Sequence, residues 1–550
     1  MKTKLLCSGL LLLSGLAFGQ NRYTAEVFSQ FQVNTEVTFG TNIDFLTSDF
    51  SDPTTVATEV TTIKTALAVG NPIPAAFYDP TDTSTSVKVD ELKMDIYEPA
   101  GDTLAQRPVV VYLHTGNFLP PQVNGGINGT RRDSSVIVAC RKLARRGFVA
   151  IAPDYRLGWN PLDPSQLQRR AQLLNAVYRA IHDMKELVRV VKADSANLGI
   201  DPDKITFLGE GSGGYVALAY STLDKWSEVE LPKFTNPATG NSFVDSNDVG
   251  NIEGLGGSLN LYQDNGLSTD INTCVNLGGA LADISWLEAG DPAMLSIHAV
   301  RDPFAPFGDG TVVVPTTQDD VVDVSGANVF IPKANNLGNN AAFLNKSFND
   351  PITLAARGRY SVTYNHIYPA PFDTITVSSN AEGLFPVVRP LANQLFNNVG
   401  SPWQWWDPNG PIATDTLDPG PPAITYHMAG LASNPNMSSS FGRTYMDTIL
   451  NYITPRMVHT LDLIDRPEYD LQTKLAVYPN PAREMLRLSS TDPALELQSF
   501  EIRDVAGRTA LRQPLRQGQR QIDLSRLSPG VYFLHLQTDK GKTVRRLVIE

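Results

Sequence analysis

Apolar and polar positions along this chain of 550 residues alternate between two periods, and the alternation predicts its elements. Short apolar runs at 91–97, 108–113, 148–153, 204–208, 273–279 and 294–298 read as strands. Between them lie stretches with helical spacing. One is predicted over 134–146. A longer one, over 165–193, carries Leu173, Val177, Ile181, Met184, Leu187 and Val191 on one face, and another over 215–220 follows the fourth strand. Strands that are apolar throughout, separated by helices, imply a parallel sheet covered on both faces. The stretch before residue 86 reads as extended, with turns rich in Thr and Asp. Residues 224–269 form a polar excursion. From about 308 to 418 the period is lost among Asn, Pro, Thr and Gly, which predicts an insertion or cap. A helix over 443–459 closes this part of the chain.

Beyond residue 475 the pattern changes to short strands at even spacing: 486–488, 500–504, 510–514, 521–524, 531–537 and 543–549. Such spacing predicts a small all-β sandwich. Charge changes with it. Residues 475–550 hold 12 basic against 8 acidic side chains, and the rest of the chain 33 against 49, within a net −12. The expected organisation is a large α/β domain over 20–465, with its insertion at 308–418, a linker at 466–474 and the sandwich at 475–550. The acidic balance argues against nucleic acid and anionic membrane as partners.

The first residues read as an export signal. Lys2 and Lys4 precede an apolar run from Leu5 to Phe18, and Ala17-Phe18-Gly19 is a small-x-small cleavage site. The mature chain is expected to begin near Gln20, without a membrane-spanning segment. Cys140 and Cys274 remain after cleavage. They could bridge in an oxidising compartment or lie buried as small apolar residues.

The sequence most suggestive of chemistry is Gly209-Glu210-Gly211-Ser212-Gly213-Gly214, which follows a strand and precedes a helix. A strained strand–turn–helix of this kind is how a nucleophilic serine is presented, with small residues two before and two after it. Centred on Ser212, those places hold Glu210 and Gly214. Centred on Gly211, they hold Gly209 and Gly213, a better fit that leaves no nucleophile. Both registers stay open: Ser212 at the tip, or Gly211 there with Ser212 capping the next helix.

Four segments in chain order resemble the carboxylesterase/lipase branch of the α/β-hydrolase superfamily. They are His114-Thr115-Gly116-Asn117-Phe118 after its strand, Asp154-Tyr155-Arg156-Leu157, Asn197-Leu198-Gly199-Ile200-Asp201-Pro202-Asp203-Lys204-Ile205 leading into the glycine turn above, and His298-Ala299-Val300-Arg301-Asp302-Pro303. The resemblance implies a doubly wound, mostly parallel sheet with a cap, and hydrolysis of a small-molecule or polymer-linked ester through a serine acyl-enzyme. Ser212 would be the nucleophile, Asp302 the orienting acid and His427 the base, with His366 as alternative base. Backbone N–H groups of Gly116 and Gly213 would form the oxyanion hole. The other outcome is an inactive hydrolase fold that binds a surface ligand or polymer. Asp309, Asp319, Asp320 and Asp323 lack the spacing of a calcium loop, so no metal and no cofactor is expected. Pro402-Trp403-Gln404-Trp405-Trp406 is either a buried anchor or an exposed stacking platform.

The C-terminal strands carry Val477-Tyr478-Pro479-Asn480-Pro481-Ala482, Asp504-Val505-Ala506-Gly507-Arg508, Pro529-Gly530-Val531-Tyr532-Phe533 and Arg545-Arg546-Leu547-Val548-Ile549. This series resembles the type A C-terminal sorting domain of the bacterial type IX secretion system. The resemblance implies that secretion machinery as partner, and a cargo that ends at the cell surface or outside.

Overall fold

The computed structural model describes residues 22–313, 319–366, 373–388, 399–463, 475–492, 495–504, 508–516, 518–538 and 541–550. The export signal and the linker expected at 466–474 lie outside them. The chain divides into two units, Met1–Leu463 and Ile464–Glu550.

The first unit is built on eight strands: β1 (Phe31–Asp44), β2 (Lys88–Pro99), β3 (Arg107–Leu113), β4 (Val149–Pro153), β5 (Ile200–Glu210), β6 (Thr273–Leu277), β7 (Ala293–Ala299) and β8 (Leu384–Val387). They lie in the order β1-β2-β4-β3-β5-β6-β7-β8. The two pairs made by β2 are antiparallel and all the others parallel. Every residue of β3, β4, β6 and β7 is buried, as a sheet covered on both faces requires. Alternate side chains serve opposite layers. Val109, Val111 and Leu113 enter one core, and Val110 and Tyr112 the other.

The first core packs against α3 (Gln166–Ala193), α4 (Ser212–Thr222) and α5 (Ala327–Leu337). The second packs against α2 (Ser134–Arg146) and α7 (Ser439–Thr460). Ser165 caps α3 by accepting from the Gln168 amide, and α2 stops at Gly147, whose φ of 101° is open to glycine. Burying one Leu or Phe of these layers is worth about 1.5–3 kcal/mol.

Two segments differ from the sequence reading. The stretch before residue 86 is not simply extended, for it contains α1 (Pro53–Ala68). Its six threonines argue for strand, yet Thr58, Thr61, Thr62 and Thr65 turn their hydroxyls onto carbonyls one turn back. Asp52 and Pro53 start the helix, and Val56, Val60 and Ile63 bury one face against Ile43 and Val87. The region expected as an insertion is also more than a cap, because it supplies α5 and the edge strand β8. Pro386 hides β8 from a strand reading, and an edge strand tolerates the missing N–H.

Among its described residues the second unit has seven strands: β9 (Leu475–Tyr478), β10 (Met485–Ser490), β11 (Leu497–Asp504), β12 (Thr509–Pro514), β13 (Gln521–Asp523), β14 (Gly530–Thr538) and β15 (Gly541–Ile549). They form two antiparallel sheets, β9-β10-β13 and β12-β11-β14-β15. Leu486, Leu488, Phe500, Ile502, Leu534, Leu536 and Leu547 make the core between them.

Candidate active site

The glycine turn joins β5 to α4. Gly211 stands between the last strand residue, Glu210, and the first helical residue, Ser212, with φ 54° and ψ −117°. This strained geometry is held from both sides. The Gly211 amide donates to the Leu277 carbonyl at 2.9 Å, and its carbonyl accepts from Gly214 at 2.9 Å and Tyr215 at 3.2 Å. A Cβ on Gly211 would strike the hydroxyl oxygen of Thr115. Gly211 therefore occupies the tip of the turn, and Thr115 takes up the room beside it.

Ser212 is only 5% exposed. Its Oγ accepts from the Asn117 amide at 3.1 Å and lies 3.3 Å from the Tyr155 hydroxyl. Tyr155 in turn donates to the carbonyl of His114 at 2.8 Å and stacks on the His114 ring, 4.4 Å between centroids. Burial holds the His114 imidazole below its ordinary pKa. Of the two amides expected to bind an oxyanion, Gly116 lines the cavity beside the turn. Gly213 packs onto the carbonyls of Leu113 and His114. The amide that reaches Ser212 is that of Asn117, which sequence reasoning missed although it lies in the segment singled out.

Asp302 follows β7 and is 2% exposed. Its Oδ1 accepts from the amides of Phe304 at 2.8 Å and Ala305 at 3.1 Å. Burial pushes its carboxyl up to about 7 against those two donors. The imidazole recorded beside it is His298, on the same strand, with Nε2 3.8 Å from Oδ2. Along the sequence His427 reads as the end of a short apolar strand, Ile424-Thr425-Tyr426, but the structure puts it in a helix. It is the second residue of helix α6 (Tyr426–Ser433), which Thr425 caps by accepting from the Met428 amide. Its Nδ1 accepts from the Trp406 indole at 3.1 Å. Among the described residues no hydrogen bond joins His427 to Asp302 or Ser212. His366 ends a short strand whose backbone pairs with Asp373.

Glu210 anchors the turn from below. Its fully buried carboxylate accepts from Tyr112 at 2.7 Å, Ser135 at 3.1 Å, the Trp403 indole at 3.0 Å and Gln404 at 2.6 Å. Burial raises its pKa and these four donors oppose the rise. Trp403 and Trp405 are 0% and 6% exposed and anchor the segment, whereas Trp406 is half-buried and borders the cavity beside the turn. Cys140 and Cys274 are both free and buried.

Beside the turn lies a cavity of about 640 Å³. One wall comes from Leu173, Leu174, Val177 and Ile181 of α3, and another from Val321, Val322 and Val324 of the strand Asp320–Ser325. Thr115, Gly211, Ser212 and Asp302 border the same space.

Residues 94–313 match the family BD-FAE, and residues 476–550 match the secretion system C-terminal sorting domain. Residues 94–313 thus belong to an esterase-like α/β-hydrolase domain and residues 476–550 to a type IX sorting domain, which sends the protein to the cell surface or beyond. Similar solved structures include esterase 2 of Thermogutta terrifontis phosphonylated by sarin, at 20% identity over 40% of this chain and 71% of that one, with a TM-score of 0.26. The propionate-bound form of that esterase matches at 21% identity over 40% and 70%, also at 0.26. No curated protein matches the chain. No helix among the described residues is long and apolar enough to cross a membrane.

Proposed function

We propose that this secreted hydrolase-fold domain binds an apolar ligand in the cavity beside its turn and forms no serine acyl-enzyme. The observation that carries the reading is Gly211 at the tip, with the Thr115 hydroxyl in the space a side chain there would need. Ser212 supports it further. A nucleophile needs a base within hydrogen-bond reach, and the recorded partners of Ser212 are an amide and a phenol. The Asn117 amide, spent on Ser212, is not free for an oxyanion.

The match to BD-FAE favours a second reading, in which the domain hydrolyses a small-molecule or polymer-linked ester. Ser212 would then be the nucleophile, with Asp302 and either His427 or His366 completing the relay. That requires the turn to rearrange so that Ser212 reaches the tip. Hydrolysis of p-nitrophenyl acetate and butyrate by the purified protein separates the two. The binding reading expects equal rates for wild type and Ser212→Ala. A wild-type rate a hundredfold or more above the variant would favour the esterase.

A further inference from the structure

The cavity beside the turn has apolar walls, yet one carboxyl opens into it. Among the described residues that line it there is no Lys, Arg or His, and the carboxyl is that of Asp302. The two oxygens of this group have different surroundings. Oδ1 is turned onto its own loop, where it accepts from the amides of Phe304 and Ala305. Oδ2 accepts no hydrogen bond among the described residues and keeps accessible surface. It lies beside Gly278, itself a lining residue, 3.3 Å from where a Cβ on that glycine would stand. The free acceptor of the carboxyl is therefore the oxygen on the cavity side.

The imidazole recorded beside it does not satisfy it. Nε2 of His298 is 3.8 Å from Oδ2, beyond hydrogen-bond reach. That nitrogen faces the Ala305 carbonyl at 3.2 Å, which can only accept, so its proton is directed there. Burial raises the Asp302 carboxyl to about 7 against its two amide donors, so at pH 8 most of it is ionised. A buried carboxylate in this position favours a ligand that brings both a donor and a positive charge. An alkylamine brings both, since it carries its proton at pH 8 as a lysine does. An alcohol brings the donor alone, and a carboxylate adds a second negative charge. Leu173, Val177 and Ile181 offer the same aliphatic wall to all three.

We propose that the cavity receives an apolar amine in its ammonium form, an N–H donating to Asp302 Oδ2 and the hydrocarbon body lying along α3. The inference rests on the reading of this cavity as a binding site, and the test lets the two fail separately. Titration calorimetry on the full-length protein at pH 8 compares 1-octylamine, 1-octanol and octanoate. The expected dissociation constant of octylamine is at least tenfold below that of octanol, with octanoate weaker than either. Asp302→Asn, which keeps the shape of the side chain and removes its charge, should weaken octylamine at least tenfold and leave octanol within threefold. That contrast separates the site from the general attraction of an ammonium to an acidic chain. Octylamine that binds no tighter than octanol, or that binds Asp302→Asn as it binds wild type, would overturn the proposal and leave the cavity a site for neutral apolar ligands. Binding of none of the three would overturn both readings.

Discussion

The hydroxyl of Thr115 fills the space that a side chain on Gly211 would need. The two residues are complementary: a glycine in the strained turn leaves room, and a threonine from the neighbouring loop takes it.

This pairing predicts a coupling. Gly211→Ser puts a side chain at φ 54°, against a hydroxyl already in place, and should cost about 2 kcal/mol or more. Thr115→Gly in the same chain should recover at least half of that loss. A double-mutant cycle from urea denaturation measures the interaction directly.

Glu210 ties the turn to the Trp403–Gln404 segment. Glu210→Ala removes four hydrogen bonds and strands buried donors on Trp403, Tyr112 and Ser135, and should cost about 3 kcal/mol or more. Glu210→Gln, which keeps an acceptor of the same shape, should cost less. Denaturation midpoints of the two variants at constant slope check the order.

Asp302 sets a pH dependence. Its folded pKa of about 7 lies above the ordinary 3.8, so the folded chain holds this proton more tightly than the unfolded chain. Stability from this group is complete below pH 4 and falls as pH rises towards 7, with a slope of up to about 1.4 kcal/mol per pH unit. Asp133, also buried and raised to about 7, adds a slope of the same sign. Among the described residues the titratable group recorded against Asp302 is His298. Asp302→Asn should flatten the slope and stabilise the chain relative to wild type above pH 7, as read from denaturation between pH 4 and 8.

The C-terminal unit is an address with its own core. Removing residues 475–550 should leave the thermal transition of the first unit within a few degrees and hold the protein inside the outer membrane. Cell fractionation reads the second effect. Appearance of the truncated chain in the medium at the wild-type level would contradict it.

Most of the layered fold was legible because its signals are strong and local. The prediction of a helix at 134–146 matches α2, where apolar spacing, a stop at Gly147 and deep burial agree. The sequence left the elbow register open between Gly211 and Ser212, and the strained dihedral falls at Gly211, which Gly209 and Gly213 flank. What escaped was set by tertiary context. Six threonines concealed α1, and Pro386 concealed β8. His427 read as a strand end because Ile424-Thr425 is apolar and β-branched, yet Thr425 is the cap of a helix. The roles of Asn117 and Tyr155 depend on loops meeting at Ser212, which no spacing along the chain encodes.

The most direct test of the central claim is labelling of the purified full-length protein with a fluorophosphonate probe, beside Ser212→Ala. That reagent reports an activated serine without any assumption about substrate. The account predicts that folded wild type is labelled no more than the variant between pH 6 and 9. Rapid labelling of wild type that disappears in Ser212→Ala would contradict it and make Ser212 the nucleophile of a working esterase.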